Sequence, residues 1–187
     1  TGEGGMLLTK DTVVYKYASD YHDHGHENNP DRPRGRDTHS IYGFNYRMTE
    51  MQGAVGKVQL NKLDRMLKAN KERYQALENN MGGKFQLRTI PEECIPTYDT
   101  LILIEPDEQT RKTVIDTLVQ EGFGTKNLPD AMEWHCTSYW DHALDAEQVV
   151  RSKKTQQILE EAVAVPVWLR KTVKDYRRLG NLLGQLK

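Results

Sequence analysis

An α/β fold is what this sequence predicts, and three observations carry that expectation. From about Lys84 to the end, short apolar and β-branched runs alternate with amphipathic patterns in the order strand, strand, helix, strand, helix, strand, helix. A long helical pattern opens at Thr49 and runs to about Asn80. Before it, a glycine turn feeds a brief apolar run from Gly5 to Thr9 that reads as a strand followed by a helix. The division expected is therefore 1–83, containing the loop and the long helix, and 84–187, a small α/β domain.

The elements follow in order. After the strand at Gly5–Thr9, Asp11 or Thr9 caps a helix whose Val13, Val14, Tyr17 and Ala18 share one face. From Tyr21 to Tyr42 the periodicity vanishes. This segment is dense in His, Asn, Arg and Pro, and an irregular stretch of that length is usually functional or disordered. Thr49 and Gln52 are spaced as a capping box, so the helix begins there. Its apolar stripe changes face near Gln59, which predicts a bend, and Gly82-Gly83 ends it. Strands are expected over Phe85–Ile90 and Thr97–Ile104. A helix from Pro106-Asp107 presents Val114, Ile115, Leu118 and Val119, and it stops at Gly122. Phe123–Lys126 reads as a short strand, Asn127–Asp145 as irregular and Ser152–Ala162 as a helix. Val163–Val165 is a strand, and a last helix over Thr172–Leu186 lines up Val173, Tyr176, Leu179, Leu182, Leu183 and Leu186.

Composition narrows the function classes. Hydrophobic residues make up 37% and charged residues 28% of the 187, a globular chain with a polar surface. A formal net charge of −1 argues against bulk attraction to nucleic acid or to anionic membrane. No apolar run reaches the length of a membrane span. Cys94 and Cys136 do not make a disulfide framework, which points to a reducing, cytoplasmic setting.

Three constellations stand out. His22, Asp23, His24, His26 and Glu27 resemble a metal cluster, but no Cys pair or HExxH accompanies them, so a polar active-site loop is preferred and no metal is expected. Arg32, Arg34 and Arg36 alternate around Pro33 and Gly35. They suit a carboxylate or phosphate clamp, although from these residues alone a solvated loop is the slightly favoured reading. Trp134-His135-Cys136 and Ser138-Tyr139-Trp140-Asp141-His142 place aromatic rings beside His and Asp, a composition that suits a sugar-like ligand. Phe44-Asn45-Tyr46-Arg47 is a donor-rich loop running straight into a helix N-terminus, which favours anions; an aromatic loop before an ordinary helix is the competing reading.

TGEGGML at Thr1–Leu7 and GFNYRMTEMQGAVGKVQLNKLD at Gly43–Asp64 resemble the C-terminal half of the DegT/DnrJ/EryC1/StrS sugar aminotransferases. In that family a GEGG-like turn follows the lysine that holds the cofactor, and a G-[FY]-N-Y-R-M loop opens a long helix with a Q-L-x-x-L-D tail, here Gln59, Leu60, Leu63 and Asp64. The resemblance implies an aspartate aminotransferase-like fold (fold type I of the pyridoxal-phosphate enzymes). Residues 1–83 would end the large cofactor-binding domain, with its active-site loop and interdomain helix, and 84–187 would be the small C-terminal α/β domain. It also implies that the Schiff-base lysine lies a few residues before Thr1, so that these residues are about half of an enzyme and include no catalytic lysine of their own.

Further implications are specific. The cofactor is pyridoxal 5'-phosphate, glutamate donates the amine, and a homodimer shares its active sites. Asn45 would reach the cofactor phosphate of the neighbouring subunit. Arg47, then Arg34 and Arg36, would meet a carboxylate, with Tyr46 and His26 in the same substrate-facing loops and His135 bordering the substrate pocket. The segments HDHGHENNPDRPRGRDT and AMEWHCTSYWDHAL look like the branch that makes 8-amino-3,8-dideoxy-manno-octulosonate from 8-oxo-Kdo for lipopolysaccharide. A nucleotide-ketosugar aminotransferase, a dehydratase of the same family and a non-catalytic dimerisation or sugar-binding fragment are the alternatives.

Overall fold

The computed structural model describes residues 2–186, and these divide into two compact units on either side of the Leu63/Asp64 boundary. Thr1, the first residue of the glycine turn, lies outside the described residues.

In the first unit, Asp11 caps α1 (Thr12–Tyr21), accepting from the N–H groups of Val13 at 2.8 Å and Val14 at 3.2 Å. The run Gly5–Thr9 is not a strand, and among the described residues no ladder partner pairs with it. The chain beyond α1 folds into two facing segments. Phe44 N–H donates to the Tyr21 carbonyl at 2.9 Å, His24 N–H to Phe44 at 3.0 Å and Tyr46 N–H to His22 at 2.8 Å. That close pairing depends on glycine: a Cβ on Gly43 would sit 2.6 Å from the Gly25 nitrogen, and Gly25 itself has φ +85 with its open side against the Ile41 carbonyl. A 3-10 turn spans Arg34–Arg36. Thr49 and Gln52 close the expected capping box at the start of α2 (Glu50–Leu60).

The long helix is in fact two helices. Lys62 N–H bonds to the Gln59 carbonyl at 3.0 Å, a tightened i→i+3 turn, and α3 (Leu63–Asn80) begins afresh. The expected change of face near Gln59 thus becomes a break. The units part at Leu63/Asp64 instead of at the Gly82-Gly83 turn, because α3 sends Tyr74, Leu77 and Met81 into the second unit's core.

The second unit is built on a three-stranded antiparallel sheet, in the order β1 (Gln86–Leu87), β2 (Thr100–Ile104), β3 (Ala162–Pro166). Leu101 pairs with Val165 and Leu103 with Val163, so their side chains share one face. Against it pack Val114 and Leu118 of α4 (Glu108–Gln120) and Tyr176, Leu179 and Leu183 of α8 (Val173–Gly184). A Cβ on Gly180 would lie 2.6 Å from the Leu77 carbonyl, so α8 approaches α3 backbone to backbone only with glycine there. Tyr176 is buried, and its hydroxyl accepts from Trp168 N–H at 2.7 Å and donates to the Pro166 carbonyl at 3.0 Å.

Between α4 and β3 the chain forms α5 (Met132–His135), a 3-10 turn at Thr137–Tyr139, α6 (Ala146–Arg151) and α7 (Lys153–Glu160). The expected strand at Phe123–Lys126 is only an edge contact: Lys126 N–H donates to the Ala164 carbonyl at 2.9 Å and Ala164 N–H to the Leu128 carbonyl at 3.2 Å, with Phe123 buried just before. Val119, expected on the buried face of α4, is exposed. Among the described residues no helix is long and apolar enough to cross a membrane.

Candidate active site

The irregular loop after α1 is ordered by two carboxylates. Asp23, buried at 6% exposure, accepts from Arg34 Nη2 on both oxygens, at 2.6 and 2.9 Å, and also from Arg47. The Arg34 hydrogen bonds, then those from Arg47, hold its carboxyl at about 2, below the ordinary 3.8, against the opposing cost of its desolvation. Asp37 gathers the backbone N–H groups of Asn28 at 2.9 Å, Asn29 at 3.0 Å and Thr38 at 2.8 Å, with His26 Nδ1 at 3.2 Å. Those N–H groups, Asn29's first, lower the Asp37 pKa. The segment from Glu27 to Asp37 is thereby closed on itself by an acid that pairs with backbone, the arrangement that lets a polar loop hold one shape without a core.

The paired segments carry Asn45, Tyr46 and Arg47 to one cavity of about 940 Å³, together with Gly4, Gly5, His22 and Gln52. Aromatic packing supports it from behind: the Tyr21 ring centroid lies 5.7 Å from Phe44 and 6.2 Å from Tyr46. Desolvation and the neighbouring phenols raise the Tyr21 pKa, which keeps it a neutral phenol. Asn45, Tyr46 and Arg47 offer an amide, a phenol and a guanidinium at the entrance to α2, all donors, with Glu3 the single carboxylate among the lining residues.

The remaining site residues expected from the sequence lie elsewhere. Arg34 is committed to Asp23 and Arg36 is exposed in the 3-10 turn, so neither lines this cavity; the salt bridge in which Arg34 serves as a brace has displaced the carboxylate clamp. His26 is held by Asp37. His135 belongs to the second unit, exposed at the end of α5. There, its neighbours Trp134, Tyr139, Trp140 and His142, with Glu133 and Ala143, line a separate cavity of about 690 Å³. No group of three or more His, Cys, Asp or Glu placed to hold a metal occurs among the described residues, and Asp23 serves arginines instead. What sequence reasoning missed is the pair of organising acids. Asp23 had been grouped with its histidines, and nothing in linear spacing ties it to Arg34 or Arg47.

Comparison with known proteins gives the chain its relatives. The model of the DegT/DnrJ/EryC1/StrS aminotransferase family matches residues 1–183. A GDP-perosamine synthase of Escherichia coli O157:H7 is 26% identical over 124 residues, covering 64% of this chain and 33% of that protein. Among solved structures, 3-amino-5-hydroxybenzoic acid synthase superposes with a TM-score of 0.65 at 19% identity, covering 95% of this chain and 47% of that one. A Streptococcus pneumoniae protein assigned as a sugar aminotransferase, in its PLP form, gives 0.62 at 14%, covering 94% and 45%. These structures establish the expected aspartate aminotransferase-like fold, of which this chain spans about half the length.

Proposed function

This chain belongs to the DegT/DnrJ/EryC1/StrS aminotransferase family, and from that premise we propose that it is the C-terminal part of a pyridoxal-phosphate-dependent sugar aminotransferase. In this reading a homodimer in the cytoplasm moves the amino group of glutamate to a keto or aldehyde sugar, with 8-oxo-Kdo as the acceptor. The observation that supports it most is the convergence of Asn45, Tyr46 and Arg47 on one cavity beside the Gly4-Gly5 turn and the start of α2.

The donor set fits a phosphorylated cofactor. A phosphate needs N–H and O–H groups and a positive potential, and the Asn45 amide, the Tyr46 phenol and the α2 N-terminus supply them. When bound, pyridoxal phosphate supplies the electron sink and carries the amino nitrogen between substrates. The chain's own residues bind and orient. Asn45 donates to the phosphate of the partner subunit without adding charge. Arg47, held in place by Asp23, turns its remaining N–H groups to a substrate carboxylate, whether of glutamate or of the octulosonate. Asp23 acts here as a positioning residue, and its low pKa keeps that brace charged throughout the neutral range.

The octulosonate acceptor draws its support from the segments His22–Thr38 and Ala131–Leu144, which look like the branch that aminates Kdo. A nucleotide-linked ketosugar is the second reading, favoured by the likeness to a GDP-perosamine synthase. The test is made on the full-length protein. Glutamate should discharge the cofactor's absorbance band and 8-oxo-Kdo should restore it, while a GDP-linked ketosugar should not; the reverse selectivity would replace the octulosonate by a nucleotide sugar. Asn45→Ala should release cofactor on dialysis roughly tenfold more readily than wild type, as expected for one lost hydrogen bond to a charged group. Unchanged retention would remove Asn45 from the cofactor site.

A further inference from the structure

His22 takes no part in the reading above, although it lines the cavity that gathers Asn45, Tyr46 and Arg47. Its backbone is fixed from both sides. The His22 N–H donates to the Ala18 carbonyl at 3.0 Å and ends α1, while the His22 carbonyl accepts from Tyr46 N–H at 2.8 Å. The ring is fixed as well. Its Nδ1 lies 2.5 Å from the Ser19 carbonyl, in the last turn of α1, where backbone oxygens lack partners within the helix.

That contact settles which nitrogen holds the proton. A carbonyl oxygen only accepts, so Nδ1 must donate. In the neutral imidazole Nε2 is then a bare acceptor. Capping α1 accounts for Nδ1 and gives Nε2 no task. The cavity does. Asn45, Gln52 and Arg47 present N–H groups there, Tyr46 presents a hydroxyl, and Glu3 is the single carboxylate among the lining residues. Among those described lining residues His22 alone offers a lone pair on an uncharged nitrogen. A ligand whose carboxylate meets Arg47 can therefore donate one O–H or N–H to it. In transamination the amino nitrogen is the atom transferred to the cofactor, so it is not free to serve as that lasting donor. A hydroxyl of the acceptor sugar is unchanged by the reaction and can.

We propose that His22 is a specificity-determining residue whose Nε2 accepts a hydrogen bond from a hydroxyl of the acceptor sugar. The assignment rests on the sugar-aminotransferase reading. It adds the second group of that substrate, beside its carboxylate, that the first unit recognises.

The experiment uses the full-length protein and two substitutions that divide the ring. His22→Asn keeps an amide N–H where Nδ1 stood, and with it the cap on α1, but removes Nε2. His22→Gln places an amide where Nε2 stood. His22→Asn is expected to raise the KM for 8-oxo-Kdo about tenfold, the size of one lost hydrogen bond, with kcat within about twofold. His22→Gln should recover most of that loss, and the KM for glutamate should rise less than that for the sugar. Circular dichroism of each variant separates loss of recognition from loss of fold. In spectra of the wild type labelled with 15N-histidine, the His22 ring should show Nδ1 protonated and Nε2 bare, and free Kdo should shift Nε2. Four results overturn the proposal: a neutral ring with its proton on Nε2, an Nε2 resonance that saturating Kdo does not move, a His22→Asn protein with the wild-type KM for the sugar, or folded Asn and Gln variants impaired alike. A wild-type protein whose bound cofactor glutamate does not convert sinks the aminotransferase reading instead, and the Nε2 resonance then still decides whether His22 meets a sugar hydroxyl.

Discussion

The two units solve the problem of holding a chain in place by opposite means. The second unit closes a conventional core: Leu77, Leu101, Leu103, Val114, Leu118, Val163, Tyr176, Leu179 and Leu183 are all fully buried. The first unit buries Asp20 and Asp23 and, among the described residues, no hydrophobic side chain, while Met6, Leu8, Val13, Met51 and Leu60 are each more than 65% exposed. Its order comes from the Asp23 and Asp37 networks, the capping box and the tyrosine cluster around Tyr21. Apolar burial is a long-lived source of stability, of the order of 1.5–3 kcal/mol for each large side chain removed from water. Polar braces specify a shape but contribute about 1 kcal/mol each, net of lost hydration. Within this chain the first unit is therefore held mainly by polar braces and the second by a closed apolar core. The donor-rich loop that carries Asn45 and Arg47 lies in the polar-braced unit.

Separating the units is the most drastic test of that difference. Residues 64–187 produced alone should unfold in one cooperative transition, and residues 1–63 alone should show none in circular dichroism or hydrogen exchange. A cooperative 1–63 fragment would erase the contrast. Smaller in effect is a matched pair of truncations. Leu77→Ala removes a fully buried side chain and should cost about 2–5 kcal/mol in denaturant unfolding. Met51→Ala removes one 82% exposed and should change the stability of the same chain by about 0.5 kcal/mol or less. A large loss at Met51 in an oligomeric sample but not in a monomeric one would show that a partner covers α2.

Acid should produce the mildest change, confined to the first unit. The Asp23 carboxyl is lower folded, at about 2, than its ordinary 3.8, so its stabilising contribution is complete above 3.8 and is lost as pH falls through about 2. Asp37 is shifted in the same direction by the N–H groups around it. Amide protection at His24 and Asn28 should fall across that window while β2 and β3 stay protected. Asp23→Asn should abolish the contribution at neutral pH, because a neutral amide cannot satisfy Arg34 and Arg47 as an ionised carboxylate does. Protection lost equally in both units would mean that the acid acts on the chain as a whole.

Much of the framework was legible in linear sequence because its causes are local. The capping box at Thr49, the cap at Asp11, the helix start at Pro106-Asp107 and the apolar stripe of α8 depend on residues a few positions apart, and each formed where expected. Elements that depend on a distant partner were misread. Gly5–Thr9 has β-like composition, but among the described residues no strand pairs with it. Of the candidate site, Asn45, Tyr46 and Arg47 were readable as a donor-rich loop before a capped helix, and they meet on one cavity. The fates of Arg34 and His26 were not readable. Alternating arginines look alike whether they clamp a ligand or a buried aspartate, and only the fold brings Asp23 and Asp37 to them.

What the sequence determined by itself was therefore the starts of α1, α2, α4 and α8, the α/β class of the second unit and the motif that marks the family. Each is encoded in short-range hydrogen bonding or in periodic burial. The tertiary structure alone decided that the long helix breaks at Asn61-Lys62, that Gly180 lets α8 lie directly against α3, and that two aspartates, not a metal or a core, hold the loop beneath Asn45 and Arg47. Those outcomes depend on which groups lose their water together, and residues far apart in sequence settle that only once the chain has closed.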